Sequence, residues 1–291
     1  MNELKNFFKN SNSLNRLIIV NAAVFILLQL VFLALHLFKI DKSINDTIIE
    51  YIAVPADLKI LLFRPWTILT YMFLHEELLH ILINMLWLWW LGQIFYEYLG
   101  SKKLVSTYIL GGIAGGLLYI LCYNIFPVFK TVLPNSYTLG ASAGILAIVI
   151  ATATLLPDYK ISLLFIGSIP LKYIAVFSIV LDLIGIRIDN PGGHIAHLGG
   201  ALFGFIYVRQ LRQGRDIAGW FNIFTDVLKS FFQRGSKVKV VYNRRKTEED
   251  YLDQKKRKQE VIDVILDKIA KSGYESLTKE EKEVLFKASK G

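Results

Sequence analysis

Long apolar runs, several of them free of charged residues, fill residues 1–211 of this chain. The segment 233–291 is instead dense in Lys, Arg, Asp and Glu. Apolar side chains make up 54% of the sequence, whereas about 45–50% is usual for a soluble domain. A helix that crosses a membrane needs about 20 mostly apolar residues. The sequence therefore predicts a helical membrane domain followed by a soluble tail.

Six of these runs are predicted to span the membrane, because a bundle also tolerates spans that are somewhat short. The apolar run after residue 160 is interrupted by Pro170 and Lys172, and proline is favoured in the first turn of a helix. The fifth span is therefore placed after this proline, and 161–166 is interpreted as interfacial. The predicted architecture is an all-α, six-transmembrane-helix bundle. Its spans are 17–38, 78–96, 104–126, 141–156, 173–188 and 194–208.

The distribution of Lys and Arg predicts the orientation of the bundle. With the N-terminus inside, ten of these residues flank the inner ends of the spans and six flank the outer ends. Since cytoplasmic flanks carry the excess of positive charge, we expect a multi-pass protein of the plasma (cytoplasmic) membrane with both termini cytoplasmic. The formal net charge of +9 is attributed to topology and to anionic lipid. No basic stripe with stacking aromatics is present, so we expect no nucleic-acid partner.

Four regions are predicted along the chain: a cytoplasmic N-terminal segment, the membrane domain, an amphipathic interfacial helix with a basic linker, and a cytoplasmic helical tail of unknown function. In the tail, Gly273 marks the end of one helix, and Thr278 with Glu281 predicts a capping box that starts another. The regions are 1–16, 17–211, 212–246 and 247–291. The apolar residues of the interfacial helix are Ile217, Trp220, Phe221, Phe224, Leu228 and Phe231.

Five polar residues inside the predicted spans lie at one depth. Polar side chains are costly in hydrocarbon and usually serve function there. Even-numbered spans run from outside to inside, and each of these residues lies in the first turns of such a span, on the order of 10 Å below the outer surface. They are His80 and Asn84 in the second span, Ser142 in the fourth, and His194 and His197 in the sixth.

Ser142 lies in the small-residue pattern Gly-Ala-Ser-Ala-Gly of 140–144. The same letters mark the nucleophile of a soluble strand–turn–helix fold, but the start of a membrane helix excludes that fold. Taken alone, the pattern favours a helix-packing face by about two to one. His197 changes this balance, because it lies at the same depth among glycines that allow close helix contact. Since a serine hydroxyl needs a base to take its proton, we predict Ser142 as nucleophile and His197 as base.

His80 and Asn84 are four residues apart and therefore share a helix face. Both can donate hydrogen bonds to the oxyanion of a tetrahedral intermediate; a polar pair that holds two helices together is the alternative. The histidines, with His75 among them, could instead bind a metal. No cysteine is near, however, and the nearby carboxylates are Glu76 and Glu77, so we predict no metal and no cofactor.

Several short motifs, found in order on the predicted helices, resemble those of the rhomboid family of intramembrane serine proteases. The resemblance covers about residues 15–211 and includes the complete sixth-helix pattern G-x-x-x-A-H-x-x-G-x-x-x-G. The residues that carry it are His80, Asn84, the Trp-rich stretch 87–92, Glu97, Gly100, Ser101, Lys103, 140–142, 182–185, Gly192, Ala196, His197, Gly200 and Gly204.

The resemblance implies that Ser142 and His197 act as a dyad without a third carboxylate. His194 has no role in the family and is expected to be structural or to line the cavity. The resemblance also implies an oxyanion hole and an active-site turn. The hole would consist of the side chains of His80 and Asn84 with the backbone N–H of Ser142, and the turn of Gly140 and Ala141.

Three positions depart from the usual pattern of the family. Trp66 is followed by Thr67 where the family often has arginine, which here comes earlier as Arg64. Ala143 follows the serine in place of glycine. Leu146 stands where an aromatic residue often supports the histidine ring, which weakens the packing under the base but removes no reacting group.

The implied function is that of a serine endopeptidase that cleaves transmembrane helices of membrane-protein substrates near the outer membrane face. Its partners would be those substrates and the lipid bilayer. A non-proteolytic rhomboid-like adaptor that binds client helices is one alternative, although such relatives usually lack the serine or the histidine. A small transporter is another, but it would predict inverted repeats and charged residues at mid-membrane depth, where Asp182 is the only acid.

Overall fold

α-Helices make up most of the computed structural model, which describes residues 12–41, 43–163, 167–232, 248–273 and 276–289. These residues divide into two compact units, the first ending at Phe232 and the second comprising the residues after it. The helices of the first unit are α1 (Ser13–Leu37), α2 (Ser43–Ile52), α3 (Leu58–Phe63), α4 (Thr67–Thr70), α5 (Leu78–Ile125), α6 (Ser142–Leu155), α7 (Leu171–Ile188), α8 (Pro191–Arg212) and α9 (Gly219–Phe232). Its strands are β1 (Val54–Pro55), β2 (Tyr137–Thr138), β3 (Lys160–Leu163) and β4 (Gly167–Pro170), and 3₁₀ turns occupy Tyr71–Phe73, Pro127–Phe129 and Leu133–Asn135.

Each of the six apolar segments predicted to be helical forms a helix. The second and third share α5, which is interrupted at Gly100, where φ is 78° and ψ is 174°, a backbone conformation that glycine adopts most readily. Two short antiparallel strand pairs, β1–β2 and β3–β4, depart from the all-α expectation. In β3, Ile161 is buried between two exposed residues, and this alternation is typical of a strand.

By length and hydropathy alone, two helices of the described part of the chain qualify as membrane spans, α1 and α5. The helix α6 is apolar but has 14 residues. The helix α8 contains glycines and histidines in its first half and arginines in its last turn, and these residue types lower its hydropathy. This criterion therefore gives fewer spans than the six predicted from the sequence.

The helix α5 forms the centre of the first unit and packs against α1, α6 and α8, while α7 packs on α8 and α6. The helices α6 and α8 approach to backbone contact: a Cβ at Gly200 would overlap the carbonyl of Ala143, and one at Gly204 would overlap the carbonyl of Ala147. Small residues permit such an approach between membrane helices. The contact brings the N-terminal halves of α6 and α8 together.

The segment between α1 and α5 is folded against the bundle. Its strand β1 pairs with β2, so that Val54 lies opposite Thr138 just ahead of α6. The Trp66 indole N–H donates to the Tyr51 carbonyl over 2.9 Å, and the Arg64 guanidinium lies 3.8 Å from the centroid of the Tyr51 ring. Both side chains thus attach the part of the segment after α3 to α2. The arginine does so even though it precedes the tryptophan, whereas the family often has it directly after.

The helix α9 has apolar residues exposed along its length, among them Trp220, Ile223 and Phe224. An ion pair of 2.7 Å between Lys102 and Asp226 joins α9 to α5. This is the helix predicted to be amphipathic, although the side chains at positions 228 and 231 of that pattern lie outside the described set.

The second unit contains α10 (Glu248–Ser272) and α11 (Lys279–Ser289). Gly273, with φ of 78°, ends α10 as predicted. The predicted capping box is confirmed, because the Thr278 N–H donates to Glu281 Oε2 over 2.8 Å and the Glu281 N–H donates to Thr278 Oγ1 over 3.3 Å. The basic linker 237–245 and most of the predicted N-terminal segment lie outside the described residues.

Candidate active site

Ser142 opens α6 directly after a sharp turn of the backbone. Gly140 has a φ of 122°, which favours glycine, and its N–H donates to the carbonyl of Tyr71 over 2.9 Å. A Cβ at Gly140 would lie 3.1 Å from the His80 ring, so the turn also has little room for a side chain. Because Ser142 is the first residue of its helix, its backbone N–H has no intrahelical partner and can face a ligand.

The Ser142 hydroxyl and the His197 imidazole meet across the contact between α6 and α8. Ser142 Oγ lies 2.6 Å from His197 Nε2, a distance typical of a strong hydrogen bond. Both side chains are partly exposed and line a cavity of about 280 Å³ whose walls include the apolar residues Trp87, Leu146 and Leu181. The structure thus brings together the hydroxyl and the imidazole that the sequence singles out.

Asp182 of α7 is hydrogen-bonded to the His197 ring of this pair. The resemblance had implied a dyad without a third carboxylate, so this contact was not predicted. Its Oδ1 lies 2.7 Å from His197 Nδ1 and 2.8 Å from His194 Nδ1. The residue is 6% exposed, so its carboxylate is buried against the two rings. The sequence carried a signal for it, because Asp182 is the only acid within the predicted spans, and ionisable residues in spans are usually functional.

Asn84 is held by His75, a residue that sequence reasoning considered only as a metal ligand. Asn84 Nδ2 lies 3.1 Å from His75 Nε2, and the Ala141 N–H donates to the same nitrogen over 3.5 Å. A backbone N–H can only donate, so Nε2 is an acceptor and the Asn84 amide must donate to it. Burial and, secondarily, the nearby His80 lower the pKa of His75 to about 4, which keeps it neutral at pH 7. One N–H of the Asn84 amide is thereby fixed, and the second is left for the cavity that Asn84 lines.

His80 lies beside the serine turn. Its ring packs edge-on against His75, with centroids 5.1 Å apart, and stands beside Gly140. The described residues that line the 280 Å³ cavity include Asn84 and Ser142 but not His80. The structure therefore places one of the two predicted oxyanion side chains at the cavity wall and the other beside the turn.

Asp182, His194 and His197 also present potential metal-ligand atoms within 4.8 Å of one another. Two ligands bound to tetrahedral zinc, each about 2.0–2.1 Å from the ion, are separated by about 3.3 Å. The separations of 2.7 and 2.8 Å between the carboxylate oxygen and the ring nitrogens are shorter than this and typical of hydrogen bonds. The three side chains are therefore arranged as a hydrogen-bonded cluster.

The sequence predicts a peptidase in which the Asn84 amide is an oxyanion donor. On that prediction, Asn84→Ala should lower kcat for peptide-bond cleavage by about 100- to 1000-fold, because one such donor typically contributes this much. The KM should change little, since the donor acts mainly on the tetrahedral intermediate. Kinetics on a transmembrane model substrate would measure both constants. Asn135→Ala, at an exposed asparagine in the loop after α5, is the matched control. An Asn84→Ala protein with the parental kcat would exclude the amide as an oxyanion donor.

Comparison with protein families gives two matches. Residues 63–214 match the Rhomboid domain. Residues 242–291 match a family of unknown function, DUF6576. The first match contains every residue of the cluster described above, and the second covers the helices of the tail.

Curated relatives align with the same part of the chain. Presenilin-associated rhomboid-like protein A, mitochondrial, of Danio rerio is 29% identical over 143 residues, which cover 47% of this chain and 35% of the relative. The rat presenilin-associated rhomboid-like protein, mitochondrial, is 28% identical over 174 residues, 57% of this chain and 42% of the relative. Rhomboid protease GlpG of Salmonella newport is 36% identical over 89 residues, 30% of this chain and 32% of the relative. The chain thus spans less than half the length of each of these relatives.

Proposed function

Since this chain belongs to the rhomboid family, a family of membrane proteins, we propose that it is an intramembrane serine endopeptidase that cleaves transmembrane helices of membrane-protein substrates near the outer membrane face. The observation that carries the proposal is the 2.6 Å contact between Ser142 Oγ and His197 Nε2 at the wall of a cavity. A hydroxyl paired with an imidazole is the arrangement that activates serine for attack on a carbonyl carbon.

The proposed reaction has two halves, acylation of Ser142 and hydrolysis of the acyl-enzyme, and the same side chains act in both. His197 Nε2 takes the proton of Ser142 as Oγ attacks the scissile carbonyl, and the resulting oxyanion receives hydrogen bonds from the Ser142 backbone N–H and the side chains of Asn84 and His80. His197 then gives the proton to the leaving amine. Water repeats the sequence on the acyl-enzyme and regenerates the serine. The turn at Gly140 and Ala141 holds Ser142 in place.

The proposed topology has six spans: α1, the two arms of α5 on either side of Gly100, α6, α7 and α8. Alternating direction then places Ser142, His197 and Asn84 near the outer face, with both termini in the cytoplasm and the protein in the cytoplasmic membrane. The regions 1–16, 17–211, 212–246 and 247–291 keep their proposed roles as N-terminal segment, membrane domain, interfacial helix with linker, and tail.

The substrate in this proposal is a helix that unwinds locally. A peptide bond inside a helix is shielded, because its N–H and C=O are paired along the helix. Residues such as Gly or Pro near the outer face lower the cost of unwinding. The mainly apolar walls of the cavity, including Trp87 and Leu146, suit an unwound segment with apolar side chains.

A fluorophosphonate probe, which reacts with activated serines, tests the proposal against the non-proteolytic adaptor. The purified protein in detergent is expected to be labelled at Ser142, as identified by peptide mass spectrometry, and the Ser142→Ala form should not be labelled. Ser136→Ala is the matched control, because the Ser136 hydroxyl donates to the Val132 carbonyl and should leave labelling unchanged. An unlabelled parent protein would favour the adaptor.

A further inference from the structure

Two histidines of α8 hydrogen-bond to one oxygen of a single buried carboxylate on α7. We propose that Asp182 and His194 are positioning residues for His197, so that the reaction centre is a chain of four side chains in which His194 acts on His197 through Asp182. This inference rests on the proposed proteolytic function and adds two residues to it.

The first step of the argument is the tautomer of His197. A carboxylate can only accept hydrogen bonds, so His197 Nδ1, at 2.7 Å from Asp182 Oδ1, must carry the proton. The neutral ring then has its lone pair on Nε2, which faces Ser142 Oγ at 2.6 Å. Asp182 therefore selects the form of His197 that can take the serine proton. Without this acceptor, Nε2 could carry the proton and donate to the serine instead.

The second step is the burial of the carboxylate. Asp182 is 6% exposed, and a buried carboxylate is costly unless hydrogen bonds compensate for lost water. Its Oδ1 receives one bond from each histidine ring, and two acceptor sites on one oxygen allow this. His194 supplies the second of these bonds at 2.8 Å. We infer that the hydrogen bond from His194 replaces part of the hydration that the buried carboxylate has lost and fixes the position of the oxygen that His197 uses.

The third step is the space made for His194. Gly185 comes three residues after Asp182 and shares its face of α7. A Cβ at Gly185 would overlap the His194 ring, which lies directly against this position. The helix α7 therefore provides both the Asp182 oxygen that accepts from the two rings of α8 and, at Gly185, the space that the His194 ring occupies. A purely structural link between the helices would need only one of the two histidines.

Removing Asp182 and His194 separately should change the reaction in a way that loss of packing would not. Asp182→Asn is expected to lower kcat/KM by about 100- to 10,000-fold, as wrong-tautomer variants of a serine–histidine pair do, and His194→Ala or Gly185→Ala by about tenfold. In the Asp182→Asn background, His194→Ala should have no further effect, because it acts through the missing carboxylate. Asp189→Asn and His36→Ala, at exposed residues, are the matched controls.

A measurement that needs no turnover completes the test. In ¹⁵N-histidine-labelled protein in detergent, NMR should show His197 protonated at Nδ1 in the parent, and an increased Nε2–H population in Asp182→Asn. Additive losses of kcat/KM in the double variant together with an unchanged His197 tautomer would overturn the inference and leave Asp182 and His194 as a structural link. A parent as inactive as Ser142→Ala would instead contradict the proposed function, and the tautomer measurement would still decide the inference.

Discussion

Replacing Ser142 with alanine is expected to abolish cleavage, lowering kcat by about 10⁶-fold as the loss of a serine nucleophile does in serine proteases. The hydroxyl that lies 2.6 Å from His197 Nε2 is the only reacting group that the substitution removes. The KM or the substrate Kd should change little, because alanine leaves the cavity wall intact. The measurement is cleavage of a transmembrane model substrate in proteoliposomes, followed by gel mobility and mass spectrometry of the products.

Two further results bear on the role of Ser142. The Ser142→Ala protein should retain substrate helices, so that proteins co-purified with it and identified by mass spectrometry would include the physiological substrates. The Ser136→Ala control should cleave at the parental rate. If Ser142→Ala cut the model substrate as fast as the parent, the nucleophile would have to be another group and the proposed function would be wrong.

Replacing His197 with alanine is expected to cause a loss of similar size, about 10⁶-fold in kcat, because serine and base act as one unit. The double variant with Ser142→Ala should be no less active than either single variant. Reaction of the protein with the fluorophosphonate probe should also slow sharply, since the hydroxyl loses its proton acceptor. His36→Ala, at the exposed end of α1, should behave as the parent. Appreciable cleavage by His197→Ala would indicate that another base serves Ser142.

The sequence predicts the helices of this chain well, because each depends on a local apolar run. The spans 17–38 and 104–126 coincide with α1 and with the second arm of α5 to within a few residues. The alternating direction of successive spans was sufficient to anticipate that Ser142 and His197 lie at one level. The glycines around both residues singled them out, short motifs resembling the rhomboid family agreed with that choice, and the family itself is shown by the match over 63–214.

What the sequence did not predict depends on rotation and contact between helices. Asp182 was recognised as an acid inside a span, but whether it faces lipid, the cavity or His197 is set by how α7 turns on α8. His75 lies just before α5. Its hydrogen bond to Asn84 depends on how the segment before α5 folds back on that helix, which a local sequence pattern does not predict. The strand β3 was not predicted, because it has only four residues and a single buried isoleucine. So short an alternation cannot be told apart from the end of an apolar run, and 161–166 was interpreted as interfacial.

The glycine contact between α6 and α8 has a mechanical consequence. Gly200 and Gly204 let the two polypeptide backbones touch at Ala143 and Ala147, so the spacing between the helices is set by hard main-chain atoms and not by deformable side chains. In the proposed topology both helices cross the bilayer, and this main-chain contact would then hold their spacing when the bilayer thickens or thins. A single methyl group at position 200 would overlap the Ala143 carbonyl and push the two helices apart, which would lengthen the Ser142–His197 contact on which the proposed proton transfer depends.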